Sequence, residues 1–96
     1  MLGSNIVRIR ERIRSQRYDI TAHAMEEMAE DGFDIIDVEN AMLGGKIIRV
    51  EKDDPRGTKY VMEGVVADGN TTIGIVGRFT GTGRYLIITV YEVVKM

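Results

Sequence analysis

Over the first 44 residues apolar side chains return every third or fourth position, and from Lys46 onward they return every second one. That change of period divides a single domain, residues 1–96, into a helical part, 4–44, and a sheet part, 46–95. Between residues 5 and 15, Ile6, Ile9 and Ile13 form a narrow apolar stripe among arginines, which predicts an amphipathic helix. Arg17-Tyr18-Asp19 interrupts the pattern. Thr21 is placed to cap a second helix with an inner stripe of Ala24, Met25, Met28 and Ala29, and Gly32 to end it. Asp34 opens a third helix, lined by Ile35, Val38, Ala41 and Met42, which Gly44-Gly45 stops.

Residues 47–52, 58–66, 71–79 and 84–94 read as strands, the last being the longest β-branched and aromatic run in the chain. Asp54-Pro55-Arg56-Gly57 fits a type I turn, Asp68-Gly69 a primed two-residue hairpin turn, and Gly81-Thr82-Gly83 a hairpin loop. Three tight connections make an antiparallel meander. The fold class is therefore α+β, with two or three N-terminal helices on one face of a four-stranded antiparallel sheet. Strict alternation points Leu86, Ile88 and Val90 at the helices, together with Ile73, Ile75, Gly77, Phe79, Tyr60 and Met62. Thr89, Tyr91, Arg78, Lys59 and Glu63 then share the open face over small residues such as Gly74, either as a shallow groove or as an ordinary solvated surface.

Composition narrows the chemistry. Ninety-six residues, 44% hydrophobic, suit one small core. The lack of cysteine excludes disulfides, thiolate nucleophiles and cysteine-held zinc, and a single histidine excludes a histidine-rich metal site, so neither metal nor cofactor is expected. No run approaches the roughly 20 apolar residues of a membrane span, and the first residues do not read as a secretory signal, so a cytoplasmic protein without membrane partners is expected. The net charge of −2 is unevenly spread: residues 1–18 carry +4, 19–46 carry −7, and 47–96 carry +1. The basic arm could approach nucleic acid, or it could neutralise the acidic middle within the fold.

His23 is the one side chain that titrates near neutrality when unperturbed, and it falls on the polar face of its helix beside Glu26, Glu27 and Glu30. Thr80-Gly81-Thr82-Gly83, between Arg78 and Arg84, could seat an anion; no helix follows it, so a plain hairpin loop is the competing reading. Ile20-Thr21-Ala22-His23-Ala24, Asp37-Val38-Glu39-Asn40-Ala41, Asp53-Asp54-Pro55-Arg56-Gly57 and Ile87-Ile88-Thr89-Val90-Tyr91 together resemble a family of small bacterial domains of unknown function, which is similar to the RelE/BrnT-like toxins of toxin–antitoxin pairs. The resemblance implies a RelE-like fold and a metal-independent endoribonuclease of the mRNA-interferase kind, with RNA and an antitoxin protein as partners. It implies His23 as acid or base, Arg78 as phosphate stabiliser and Tyr91 as proton donor, with Arg8, Arg12, Arg56, Lys59 and Arg84 contributing to RNA approach. The alternative is a catalytically silent protein-binding module of the same fold.

Overall fold

The computed structural model describes residues 4–94, so residue 95, the expected end of the sheet part, lies outside them. The three helices are α1 (Ser4–Arg14), α2 (Ala22–Asp31) and α3 (Ile35–Gly44). Their ends follow the local chemistry. The Thr21 hydroxyl accepts the Ala24 N–H at 3.1 Å, and Gly32 closes α2 in a left-handed conformation at φ 76°. Asp34 and Asp37 form a reciprocal capping box at 2.9 and 3.0 Å, so that both orphan donors at the start of α3 are satisfied.

Five strands follow the helices or slip between them: β1 (Tyr18–Ile20), β2 (Lys46–Glu51), β3 (Lys59–Val65), β4 (Thr72–Phe79) and β5 (Tyr85–Glu92). The sheet order is β1-β5-β4-β3-β2, with β2 to β5 an antiparallel meander and β1 parallel to β5. The four-stranded antiparallel sheet expected from the sequence is thus a five-stranded mixed one. The added strand comes from Tyr18-Asp19-Ile20, the stretch read as an interruption: Gln16, at φ 59°, turns the chain out of α1. Tyr18 and Ile20 then pack against the core while Asp19 is exposed. Three residues are too few for a period of two to register. Nor is β5 the longest strand, since β4 and β5 both have eight residues.

Between the helices and the sheet lies one cluster, built from Ile9, Ile13, Ala24, Met28, Val38, Ala41 and Met42 on the helices. Tyr60, Met62, Ile73, Ile75, Tyr85, Ile87 and Val90 face them from the strands. Met25 and Ala29, expected inside, are exposed, and Ile35 is 40% exposed. The inward row of β5 also differs from strict alternation. Val76 faces Thr89 and Gly77 faces Ile87, which leaves Ile88 without an opposite residue. This bulge changes the phase of the strand. Before it Tyr85 and Ile87 point inward and Leu86 outward; after it Val90 points inward, and Thr89 and Tyr91 keep the outward position that the sequence predicts. Ile48 makes a like irregularity in β2.

Two consequences concern glycines. A Cβ on Gly64 would lie 1.9 Å from the Ala41 carbonyl oxygen, so α3 rests directly on the backbone of β3. A Cβ on Gly77 would meet the Tyr85 ring at 2.4 Å; that ring occupies the space instead, edge-on to Phe79. The Tyr85 side chain is fully buried, and its hydroxyl has no partner among the described residues. Burial pushes its ionisation well above the usual tyrosine range. An unpaired buried hydroxyl costs about 1–3 kcal/mol, so Tyr85→Phe is expected to leave stability unchanged or raise it in urea denaturation. A clear loss would reveal a hydrogen bond that the geometry lacks.

The turns expected at residues 54–57 and in the β4–β5 loop are present, although the β2–β3 link as a whole runs over residues 52–58. Gly57 N–H returns to Asp54 O at 3.0 Å, and Gly83 N–H to Thr80 O at 3.1 Å. The β3–β4 link is not a two-residue primed turn, however: Val66 N–H pairs with Thr71 O, which encloses residues 67–70. Asp68 accepts the N–H of Asn70 and Thr71, so its carboxylate organises a wider loop.

Candidate functional site

On the outer face of the sheet, away from the helices, the register sets side chains in rows. One reads Lys46, Glu63, Gly74, Tyr91; the next Arg49, Val61, Val76, Thr89; the third Glu51, Lys59, Arg78, Leu86, extended by Asp19 on β1. Val61 is fully buried although it lies outside the helix-side cluster, so the longer side chains of this face close over it. Tyr91 lies flat: a Cβ on Gly74 would sit 2.2 Å from its Cζ, and only glycine leaves room for the ring.

The cations gather at one corner. Asp54, in the β2–β3 loop, accepts the Arg56 backbone N–H at 2.8 Å, faces the Arg56 guanidinium at 3.3 Å and lies 3.4 Å from Lys59. Arg78 donates to the Arg56 carbonyl at 3.5 Å. Arg56 and Lys59 are therefore brought together around one carboxylate, and Arg78 reaches the same loop through the Arg56 carbonyl. Sequence reasoning treated Asp54 only as a turn residue; a short aspartate two residues before an arginine was the available signal for an Asx-type contact. Those donors, led by the Arg56 backbone, hold the Asp54 carboxyl at about 2. Because its folded value lies below the ordinary ~3.9 of a free aspartate, the group adds stability above that pH and loses it as pH falls toward 2. Acid titration should show a loss of stability between those limits that Asp54→Asn removes.

The three catalytic candidates are not assembled at that corner. Tyr91 occupies the row two removed from Arg78. Gly74 and Arg78 are four residues apart on β4, about 13 Å at the usual rise of a strand. His23 stands in the first turn of α2, 67% exposed, with Nε2 3.4 Å from Glu27. It lies at the edge of β5. Since β1 ends at Ile20, α2 covers that edge from there on: Thr21 N–H bonds to Ile87 O, Thr21 Oγ1 to Ile88 O at 3.0 Å, and Val90 N–H to Glu27 Oε1 at 3.0 Å. Glu27 is thus anchored to the sheet and holds the imidazole by an i, i+4 contact.

The remaining RNA-binding candidates have partners within the fold. Arg8 stacks on Phe79 at 4.1 Å, and Arg12 donates to Gly83 O at 2.5 Å and pairs with Glu11. Arg84 grips Asp19 at 2.8 Å and the Tyr18 carbonyl at 3.1 Å. Arg10 reaches the Gly45 carbonyl at 2.6 Å. The basic arm is bound largely by backbone oxygens, an aromatic ring and its own Glu11; among the described residues the ion pair that reaches the start of the acidic stretch comes instead from Arg84, to Asp19.

Among the described residues no group of three His, Cys, Asp or Glu side chains is arranged as metal ligands, and no helix is long and apolar enough to cross a membrane. A family described as Domain of unknown function (DUF4258) matches residues 20–92, taking in α2, α3 and β2 to β5 but leaving α1 outside. No curated protein and no solved structure matches the chain.

Proposed function

We propose, for a chain that belongs to the DUF4258 family, that the outer sheet face binds single-stranded RNA and that the protein is a metal-independent, toxin-like endoribonuclease restrained by an antitoxin. The observation that carries the reading is the sign of this face. The whole chain is acidic, yet Lys46, Arg49, Arg56, Lys59, Arg78 and Arg84 outnumber Glu51, Glu63, Asp54 and Asp19 around it, with the flat ring of Tyr91 at the other end. Cations track phosphates and an aromatic ring stacks a base, the two requirements of single-strand binding.

Cleavage would use the RNA's own 2′-hydroxyl. As its oxygen bonds to the adjacent phosphorus and the bond to the 5′-oxygen breaks, His23 takes the 2′ proton, Tyr91 supplies one to the leaving oxygen, and Arg78 meets the charge on the phosphate. Arg78 cannot itself carry the proton. A silent binding module is the second reading, favoured by the separation of Arg78 from Tyr91 along β4. Purified protein, freed of any antitoxin, is to be tested on single-stranded and ribosome-bound RNA. Salt-dependent binding weakened by Arg78→Ala is expected, with cleavage in one of the two contexts. Binding without cleavage would remove the nuclease reading, and no RNA binding would leave the silent protein-binding module.

A further inference from the structure

A groove of about 600 Å³ runs beside β1 on the helix side of the molecule, away from the cationic corner. Its apolar wall is Met25, Ile35 and Ile36, which are 58%, 40% and 62% exposed. Large apolar side chains left open side by side on a small protein mark a contact surface more often than a solvated one. The groove's charged members are Asp19, which Arg84 holds at 2.8 Å, and Glu39, which accepts the Tyr18 hydroxyl.

The other wall is main chain. In the parallel β1–β5 pair, Tyr85 N–H bonds to Arg17 O and Thr21 N–H to Ile87 O, so the N–H and C=O of Asp19 also face β5. By alternation, those of Tyr18 and Ile20 face away, toward the groove, and β1 is the last strand on that side of the sheet. The Tyr18 carbonyl accepts one bond from Arg84 and keeps a second lone pair. An edge of this kind can take another strand, with alternate side chains of the newcomer directed to the two faces of the sheet.

We propose that β1 and the groove receive an extended peptide segment of a partner protein, alternating apolar and basic residues. Its apolar side chains pack on Ile35, Ile36 and Met25 from the helix side. Its cations lie outward, sharing the Asp19 carboxylate with Arg84, within the field of an acidic stretch, residues 19–46, whose net charge is −7. This inference does not depend on the RNA reading, since it uses a different edge of the sheet and packs on the helix side.

The probe is a synthetic hexapeptide, acetyl-Lys-Ile-Lys-Val-Lys-Ile-amide, titrated into the ¹⁵N-labelled full chain and followed by amide shifts. Saturable changes are expected at Tyr18, Ile20, Met25 and Ile36. Binding should weaken tenfold or more with Ile36→Lys, with a peptide whose central valine is proline, and with one whose lysines are glutamates, a tenfold change being about 1.4 kcal/mol. Ile36 is exposed, so its variant should keep the parent spectrum elsewhere. No shifts up to ~1 mM, where only contacts weaker than about −4 kcal/mol go unseen, would overturn the proposal, as would equal binding of the glutamate or proline peptide. Shifts confined to β3 and β4 would also overturn it. So would a dimer in sedimentation that Ile36→Lys dissociates, because the occupant would then be a second copy.

Discussion

Gly64→Ala is expected to destabilise the fold by at least about 3 kcal/mol, the upper part of the range for overpacking. The added methyl would stand 1.9 Å from the Ala41 carbonyl oxygen, 2.6 Å from its carbon and 2.8 Å from its Cα, all backbone atoms of α3. No rotamer change relieves such a contact. The helix must lift off β3 and open the packing of Val38, Ala41 and Met42, all fully buried. A domain of this size has only about 5–15 kcal/mol of stability in total. Urea denaturation should therefore shift strongly to lower midpoint. The control is Gly44→Ala, one turn end away, where a Cβ meets nothing within 4 Å; it should be neutral or slightly stabilising, since alanine is favoured over glycine in a helix by about 0.5–1 kcal/mol. If the two variants unfold alike, α3 is not held on β3 as described.

His23→Ala should reduce RNA cleavage by roughly 10²–10⁴, the usual contribution of one positioned proton-transfer group, while RNA affinity stays near that of the parent. The exposed histidine makes little contact with the core, so stability should not change. Glu27→Gln separates orientation from chemistry. It retains an oxygen for the Val90 N–H but loses the charge that holds the imidazole, so it should lower the cleavage rate while leaving RNA affinity near that of the parent. Tyr91→Phe keeps the ring over Gly74 and removes only its hydroxyl, so it should lower cleavage without lowering affinity. Equal cleavage by parent and His23→Ala would exclude His23 as the acid–base group, whatever the binding results.

Local chemistry explains why so much of this fold could be read in advance. Thr21, Asp34 and Gly32 act on neighbours within a few residues, and a cap carries its own signature. The rows containing Arg78 and Tyr91 followed from alternation that survives on β4 and on the end of β5. What escaped was decided by distant partners. Tyr18-Asp19-Ile20 becomes a strand only because β5 arrives from the far end of the chain to pair with it. The bulge at Ile88 likewise depends on the register of β4, and it brings Tyr85 rather than Leu86 into the core. The gathering of Arg56 and Lys59 at Asp54 was hidden for a different reason: a turn read by its glycine and proline does not announce which side chains its aspartate will collect.

The position of β5 also bears on when the protein can fold. Among the described residues it is the last strand in chain order, yet it lies inside the sheet, between β1 and β4. At about 5–20 residues per second, synthesis leaves α1 to α3 waiting several seconds before Tyr85, Ile87 and Val90 exist to cover them. Closing β1 on β5 then joins segments separated by most of the chain, the kind of contact that forms late and slows folding. Nascent chains that stop before Tyr85 should remain open to proteases, and the Tyr91 edge of the outer face should come into being only once β5 has been made. Any activity there would be withheld until β5 has paired with β1 and β4.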